Sequence, residues 1–468
     1  METVCSGEKL EFQGSNSRAV EANFDGGRVT SDAGLLLFRE LDEDVGITKR
    51  LADCFTDHRN PDRIEHTVQQ LVSQRLMGLV AGYEDLNDHD ALRDDVVFAL
   101  AAGKEDLTGQ RRERERDRGH ALAASSTLNR LELTPPGADP THRYKKIVYA
   151  ADAMDRLLVE AFLDAYDEPP SQIVLDVDAT DDPLHGHQEG RFFHGYYRCY
   201  CYLPLYIFCE GFPLCARLRT SDIDGAAGSK EEVERIVNQI RERWPRVHIV
   251  LRGDSGFARE ELMTWCEQNG VDFVFGMARN SRLVKKLERE FYRLDEHPES
   301  KRLFRDFRYR TLDSWSRTRR VVGKAEYAGE KENPRFVVTS LRKKDVEARE
   351  LYEKVYCARG DMENRIKEQQ LGMFADRTST HTMRANQVRL YFSTFAYLLV
   401  HLFRRTALAG TELAQAQCDT IRLRLIKLGA IIRVSVRRVY FALSSVYPTQ
   451  SLFRRVLSNL RRPSPAPA

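Results

Sequence analysis

The strongest constraint in this chain is the order of apolar patterns between Gln172 and Met277. A short β-rich run, "QIVLDVDAT" (Gln172–Thr180), comes first. "YYRCYCYLPLYIFCEGFPLCARLRT" (Tyr196–Thr220) reads as two strands about a turn at Glu210-Gly211. The period then lengthens in "SKEEVERIVNQIRERW" (Ser229–Trp244), a predicted helix with Ser229 as N-cap and glutamates in its first turn. "VHIVLR" is a strand, "REELMTWCEQNG" a helix closed by Gly270, and "VDFVFGM" another strand.

Three antiparallel strands followed by two right-handed crossovers predict an α/β, ribonuclease-H-like (retroviral-integrase-like) core. The flanks differ in pattern. Residues 1–30 look irregular, and helical spacing then runs to about residue 168. "IEHTVQQLVSQRLMGLVAGY" stops at Gly82, "TPPGADP" is a breaker, and a helix is expected from about His142 to Tyr166. The charged run Gly109–His120 reads as a solvated linker or exposed helix. The expected organisation is an N-terminal helical region (1–168), a core (169–281 and 342–405), an inserted β-rich subdomain (282–341) and a basic C-terminal region (406–468). From Asp419 onward ten Arg and Lys face that single acid, and "IIRVSVRRVYFAL" looks strand-like. "RRPSPAPA" reads as a disordered end.

Composition narrows the class. At 468 residues, 42% hydrophobic and 30% charged, the chain can bury a full core. Nine cysteines without a CxxC pair suggest neither a zinc site nor a disulfide framework, which fits a cytoplasmic protein. "METVCSGEKLEFQGS" has no apolar segment of the signal-peptide kind, and the apolar run near Leu390–Phe403 is short for a membrane span.

The candidate chemistry lies in carboxylates at strand ends. Asp178 closes the first strand, and Asp254, in "IVLRGDSGF", follows the fourth. In the predicted topology those strands are neighbours, and chemistry in α/β sheets gathers at their carboxyl ends. Two close carboxylates call for a cation, and Mg²⁺ prefers such hard oxygen ligands. Gly253 and Gly256 leave room for close backbone approach. Asp176 shares a face with Asp178 by strand alternation, and Asp181 and Asp182 are also near, so spacing leaves the first ligand open. A third element, "YCARGDMENRIKEQQ", places Tyr356, Arg359, Glu363 and Lys367 on one face if it is helical through Gly360.

These residues resemble the DDE transposases of bacterial insertion sequences, in the group with a Tyr-Arg-Glu-Lys signature and most like the insertion-sequence-1380 type. The resemblance rests on "SDAGLLLFREL", "LDVDATDDPLHGHQEG", "LRGDSGFA", "DSWSRTRRVVGKAEY", "YCARGDMENRIKE" and "FADRTSTHTMRANQVRLY", among others. It implies an acidic triad of Asp178, Asp254 and Glu363 holding Mg²⁺, expected as two ions with Mn²⁺ as a substitute. It implies terminal-inverted-repeat and target double-stranded DNA as partners, a homodimeric synaptic complex, and cut-and-paste strand transfer. Tyr356, Arg359, Lys367 and Arg377 would contact DNA, and Trp315 would stack on a flipped base. Where the signature calls for Lys, this chain has Gln370, with Lys367 one turn earlier. A catalytically silent DNA-binding derivative and a nuclease without strand transfer are the alternatives.

Overall fold

The computed structural model describes residues 9–297 and 299–461. The tail expectation for "RRPSPAPA" falls outside them beyond Arg461, as do the first residues of "METVCSGEKLEFQGS". The chain divides into two compact units. One takes in the described residues up to Tyr149 and from Leu399 onward, and the other runs from Ala150 to Leu398.

In the second unit, helix α1 (Ala151–Asp164) leads to strand β1 (Gln172–Ala179), β2 (Leu205–Cys209) and β3 (Phe212–Arg217). Helix α2 (Ser229–Arg243), β4 (His248–Gly253), α3 (Glu260–Gln268) and β5 (Asp272–Met277) follow. The strand order β3-β2-β1-β4-β5, antiparallel over the first three and parallel at β1–β4 and β4–β5, is the one the sequence pattern predicts. The β2–β3 turn falls at Glu210-Gly211, both with positive φ (50° and 88°), a two-residue connection matched to strand twist. The N-cap of α2 is Gly228, at φ 74°, rather than Ser229, which opens the helix itself.

The sheet does not stop at β5. Strands β6 (Arg302–Tyr309), β7 (Arg319–Ala328) and β8 (Arg335–Thr339) continue it in the order β5-β8-β7-β6. The segment expected as a separate β-rich subdomain is thus joined edge to edge to the core. Val250 of β4, Val274 of β5, Val322 of β7 and Val337 of β8 share one apolar cluster with Leu351 and Tyr352. Each such buried side chain contributes about 1.5–3 kcal/mol, so the insertion and the core strands stabilise each other. Past β8 the chain turns helical at Ala348, passes through a π-helical stretch at Leu351–Tyr356 and a 3₁₀ turn at Cys357–Arg359, and becomes α4 (Gly360–Met373). Helix α5 (Met383–Arg405) begins in this unit.

The first unit is not the all-helical region expected from spacing. Leu10–Ser15 and Arg18–Ala22 form a hairpin about Asn16-Ser17, both with positive φ. Arg28–Thr30 pairs with Ala430–Val434, which pairs with Val439–Leu443, so the basic C-terminal segment completes a three-stranded sheet with the N-terminal part. Helix Val68–Ala81 opens on a Thr67–Gln70 capping box and closes at Gly82, φ 97°. The helix expected from His142 begins at Ala151 and belongs to the second unit, packed on β3 and α2. Among the described residues no helix is long and apolar enough to cross a membrane.

Candidate active site

The register of β1 and β4 sets the site. Arg252 lies opposite Asp176 and Gly253 opposite Val177, so Asp254 follows level with Asp178. Neighbouring strands are about 4.8 Å apart, which places the two aspartates side by side at the carboxyl ends. A Cβ on Gly253 would meet Val177 Cγ1 at 2.9 Å and Phe257 Cβ at 3.2 Å, so a larger residue here would displace those side chains.

Alternation puts Asp176 and Asp178 on one face, and their partners separate them. Asp176 is buried and takes a bidentate ion pair from Arg252, Nε to Oδ1 at 2.5 Å and Nη2 to Oδ2 at 2.7 Å. Arg252 also donates to the carbonyl of Val355 at 2.5 Å, tying the strand to the π-helical stretch. Both oxygens of Asp176 are therefore used in holding the core. Asp178 is closer to the surface, with 15% of its side chain exposed. Its Oδ1 accepts from the Ala179 N–H at 2.9 Å, and its Oδ2 accepts from Arg359 at 3.3 Å. Its pKa is pushed up to about 7, by burial first and then by Asp254 and Glu363, against the pull of Arg359 and of the Ala179 N–H.

Asp254 has two parts to play. Its Oδ1 accepts from the Gly256 N–H at 2.8 Å and caps the 3₁₀ turn Ser255–Phe257. Glu363 comes from the first turn of α4, and its Oε1 lies 2.5 Å from Arg359 Nη2. The helix runs unbroken through Gly360, whose backbone is right-handed helical (φ −55°, ψ −24°), so Arg359 and Glu363 share a face. Burial works against the charge on Arg359, but Asp178, Glu363, Tyr356 and Asp254 outweigh it and raise its pKa.

The guanidinium of Arg359 thus bridges Asp178 and Glu363. Among the described residues no three acidic, histidine or cysteine side chains converge closely enough to hold a metal ion. The acids are nonetheless of the right kind for a divalent cation. All are hard oxygen donors, and the pKa of Asp178 is raised first by burial and then, against the pull of Arg359, by the neighbouring charges of Asp254 and Glu363. Arg359 supplies the positive charge between Asp178 and Glu363.

The remaining expected residues fall in different surroundings. Tyr356 packs over β5, where a Cβ on Gly276 would meet its hydroxyl at 2.5 Å and the Ser255 nitrogen at 3.0 Å. Gly276 is a site residue that sequence reasoning missed, since its need for space appears only once Tyr356 is placed. Lys367 is exposed on α4, and the carboxylate of Glu363 faces Arg359 instead of it. Gln370 donates through Nε2 to the carbonyl of Asp181 at 3.1 Å, pinning α4 to the segment leaving β1. Arg377 is exposed beyond Phe374, the left-handed residue that ends α4.

Trp315 corrects an expectation. It is 4% exposed, packs edge-on against Tyr309 with centroids 5.9 Å apart, and has the Arg319 guanidinium 5.5 Å from its ring. A ring so enclosed between β6 and β7 has no free face for a base, so here it is a packing residue.

The family described as "Transposase DDE domain group 1" matches residues 12–465. No curated protein matches the chain. Among solved structures, the piggyBac transposase synaptic complex with hairpin DNA is similar at 12% identity and a TM-score of 0.38, covering 94% of this chain and 87% of that one.

Proposed function

Because the chain belongs to the group 1 family of DDE-domain transposases, we propose that it binds the terminal inverted repeats of a mobile element, cuts them, and joins the freed ends to target DNA. The finer placement is with bacterial insertion sequences of the insertion-sequence-1380 type, whose Tyr-Arg-Glu-Lys signature falls here on Tyr356, Arg359, Glu363 and Gln370. The observation that carries this reading is the level placement of Asp178 and Asp254 on adjacent parallel strands, with Glu363 linked to the same cluster through Arg359.

Asp178, Asp254 and Glu363 would hold divalent ions, Mg²⁺ in the cell with Mn²⁺ as a substitute. When bound, these would activate a water or a 3′-hydroxyl for attack at phosphorus and offset charge on the leaving oxygen. The chain's own residues then bind and orient. Arg359, freed from Asp178, would take a phosphate oxygen beside the cut, and Lys367 would take one a turn further along α4. Tyr356, wedged over Gly276, keeps the root of α4 against the strand end that carries Asp254. The partners on this reading are double-stranded element ends and target DNA, engaged by a homodimer in the bacterial cytoplasm at the nucleoid. The basic segment after Asp419 would add sequence-independent phosphate contacts.

The test uses the DNA that flanks the gene as substrate. Asp254→Asn and Glu363→Gln should each abolish Mg²⁺-dependent cleavage and leave end binding within about threefold, since binding rests mainly on phosphate contacts. Near-normal cleavage by either variant would remove that residue from the site.

A further inference from the structure

Between β1 and β2 the chain builds a small flap. Asp182–Pro183 pairs with Cys199–Tyr202, which pairs with Phe192–His194. Its inner side is fixed. Cys201 and Tyr202 are buried, Gln188 donates to the Thr378 carbonyl at 3.3 Å, and Glu189 N–H donates to the His381 carbonyl at 2.8 Å. Its outer side is bare and aromatic: Phe193 is 57% exposed, Tyr200 44%, and Tyr196, at the turn, 84%.

That exposure is built rather than accidental. Phe193 and Tyr200 are cross-strand partners with rings edge-on at 5.4 Å, and Arg191 lies over the Tyr200 ring at 3.7 Å. The turn is closed by Arg198 N–H on the His194 carbonyl at 2.8 Å, with Arg198 itself at φ 56°, which holds Tyr196 outward. Tyr196 stacks edge-on against Tyr197 at 5.0 Å, and the Tyr197 hydroxyl reaches the Ala179 carbonyl at 3.5 Å, next to Asp178. Tyr197 and Tyr196 therefore lead from the strand end that carries Asp178 out to solvent, and Phe193 and Tyr200 form a second exposed pair on the flap.

We propose that this flap is a stacking platform for unpaired bases of the strand processed at the candidate active site, with Phe193 and Tyr196 as its principal rings. This rests on the DNA-processing reading above and extends it to the kind of DNA engaged. Exposed rings backed by an arginine plane suit nucleobases, which all present a π-face. The flap carries two arginines, Arg191 and Arg198, and of its acids Glu189 accepts from the Met383 N–H while Asp182 is buried at its root. Trp315, by contrast, is buried.

The experiment measures anisotropy of a fluorescein-labelled oligo(dT) strand and of a labelled duplex with the full chain. Phe193→Ala with Tyr196→Ala should weaken oligo(dT) binding by about fivefold or more for each ring and leave duplex binding within about twofold. Tyr196→Trp should keep the affinity, and its added fluorescence should be quenched by oligo(dT) and not by the duplex. Unchanged oligo(dT) binding in the double variant, an equal loss on both probes, or a changed sedimentation coefficient in its place would overturn the proposal. The last would mean that the rings cover a second copy of the chain. Wild-type cleavage of the flanking DNA, run in parallel, separates the two readings. Cleavage with ring-independent strand binding sinks the platform alone, and absent cleavage with ring-dependent binding sinks the transposition reading alone.

Discussion

Asp178→Asn should make the metal-free protein more stable while disabling it. The carboxyl of Asp178 titrates near 7 instead of near 3.8, because burial and the charges of Asp254 and Glu363 outweigh the help of Arg359. At pH 8 the folded protein holds it ionised against that preference. A proton is bound more tightly in the folded state than in the unfolded one, so this group's contribution is most favourable below pH 3.8 and is lost as pH rises to about 7. At about 1.4 kcal/mol per tenfold change in proton affinity, the ceiling on the penalty is about 4 kcal/mol. That ceiling already includes the help of Arg359; asparagine removes the penalty but hydrogen-bonds its neighbours less well, so a net gain of about 1–3 kcal/mol is expected at pH 8. The assay is urea unfolding in EDTA at pH 8 and pH 5, followed through the transition of the second unit. The advantage of Asn should shrink at pH 5, and millimolar Mg²⁺ should close the gap at pH 8 by stabilising the wild type only. A variant less stable than wild type at pH 8, with no change on going to pH 5, would show that Asp178 is a net-favourable partner of Arg359, and the reasoning would fail.

Other substitutions separate packing from chemistry. Lys367→Ala should lower strand transfer by about tenfold without altering the melting temperature, because the lost contact is to phosphate; full activity would remove Lys367 from the site. Trp315→Ala should cost about 3–5 kcal/mol of stability, as for a buried aromatic, and slow all cleavage steps alike; selective loss of second-strand processing would restore the base-stacking role. Gly276→Ala should destabilise by about 1–3 kcal/mol through overpacking, and denaturant midpoints should show partial recovery when Tyr356→Phe removes the hydroxyl. No recovery would place the clash on the Ser255 backbone instead.

The core topology was legible because its signals are local. Periodicity marked the five core strands and both crossover helices, and Glu210-Gly211 marked the hairpin. The pairing of β4 with β1 then followed from topology, and with it the nearness of Asp178 and Asp254. What the sequence could not separate was Asp176 from Asp178, since both share a face; only the placement of Arg252 does so. Trp315 was misread because a tryptophan among arginines looks the same whether the arginines stack on it or await DNA. The aromatic run from Tyr196 reads as two strands, and its first part instead belongs to the flap. Alternation cannot reveal a flap whose outer face is apolar. The helix around Arg359 was ambiguous at Gly360, where tertiary packing overrides a weak propensity. The antiparallel sheet of the first unit was hidden because its strands come from opposite ends of the chain, Arg28–Thr30 and Ala430–Leu443.

The continuation of the sheet past β5 bears on how such a chain avoids sticking to itself. A core ending at β5 would show an apolar edge, "DFVFGM", with a row of open backbone donors and acceptors ready to template another strand. Here β8, β7 and β6 cover that edge, and the new outermost strand is "RLFRDFRY", with Arg302, Arg305, Asp306 and Arg308 along it. Charged residues on an outer strand oppose pairing between chains. Removing the insertion to obtain a smaller enzyme would therefore uncover an aggregation-prone edge, whatever it did to catalysis.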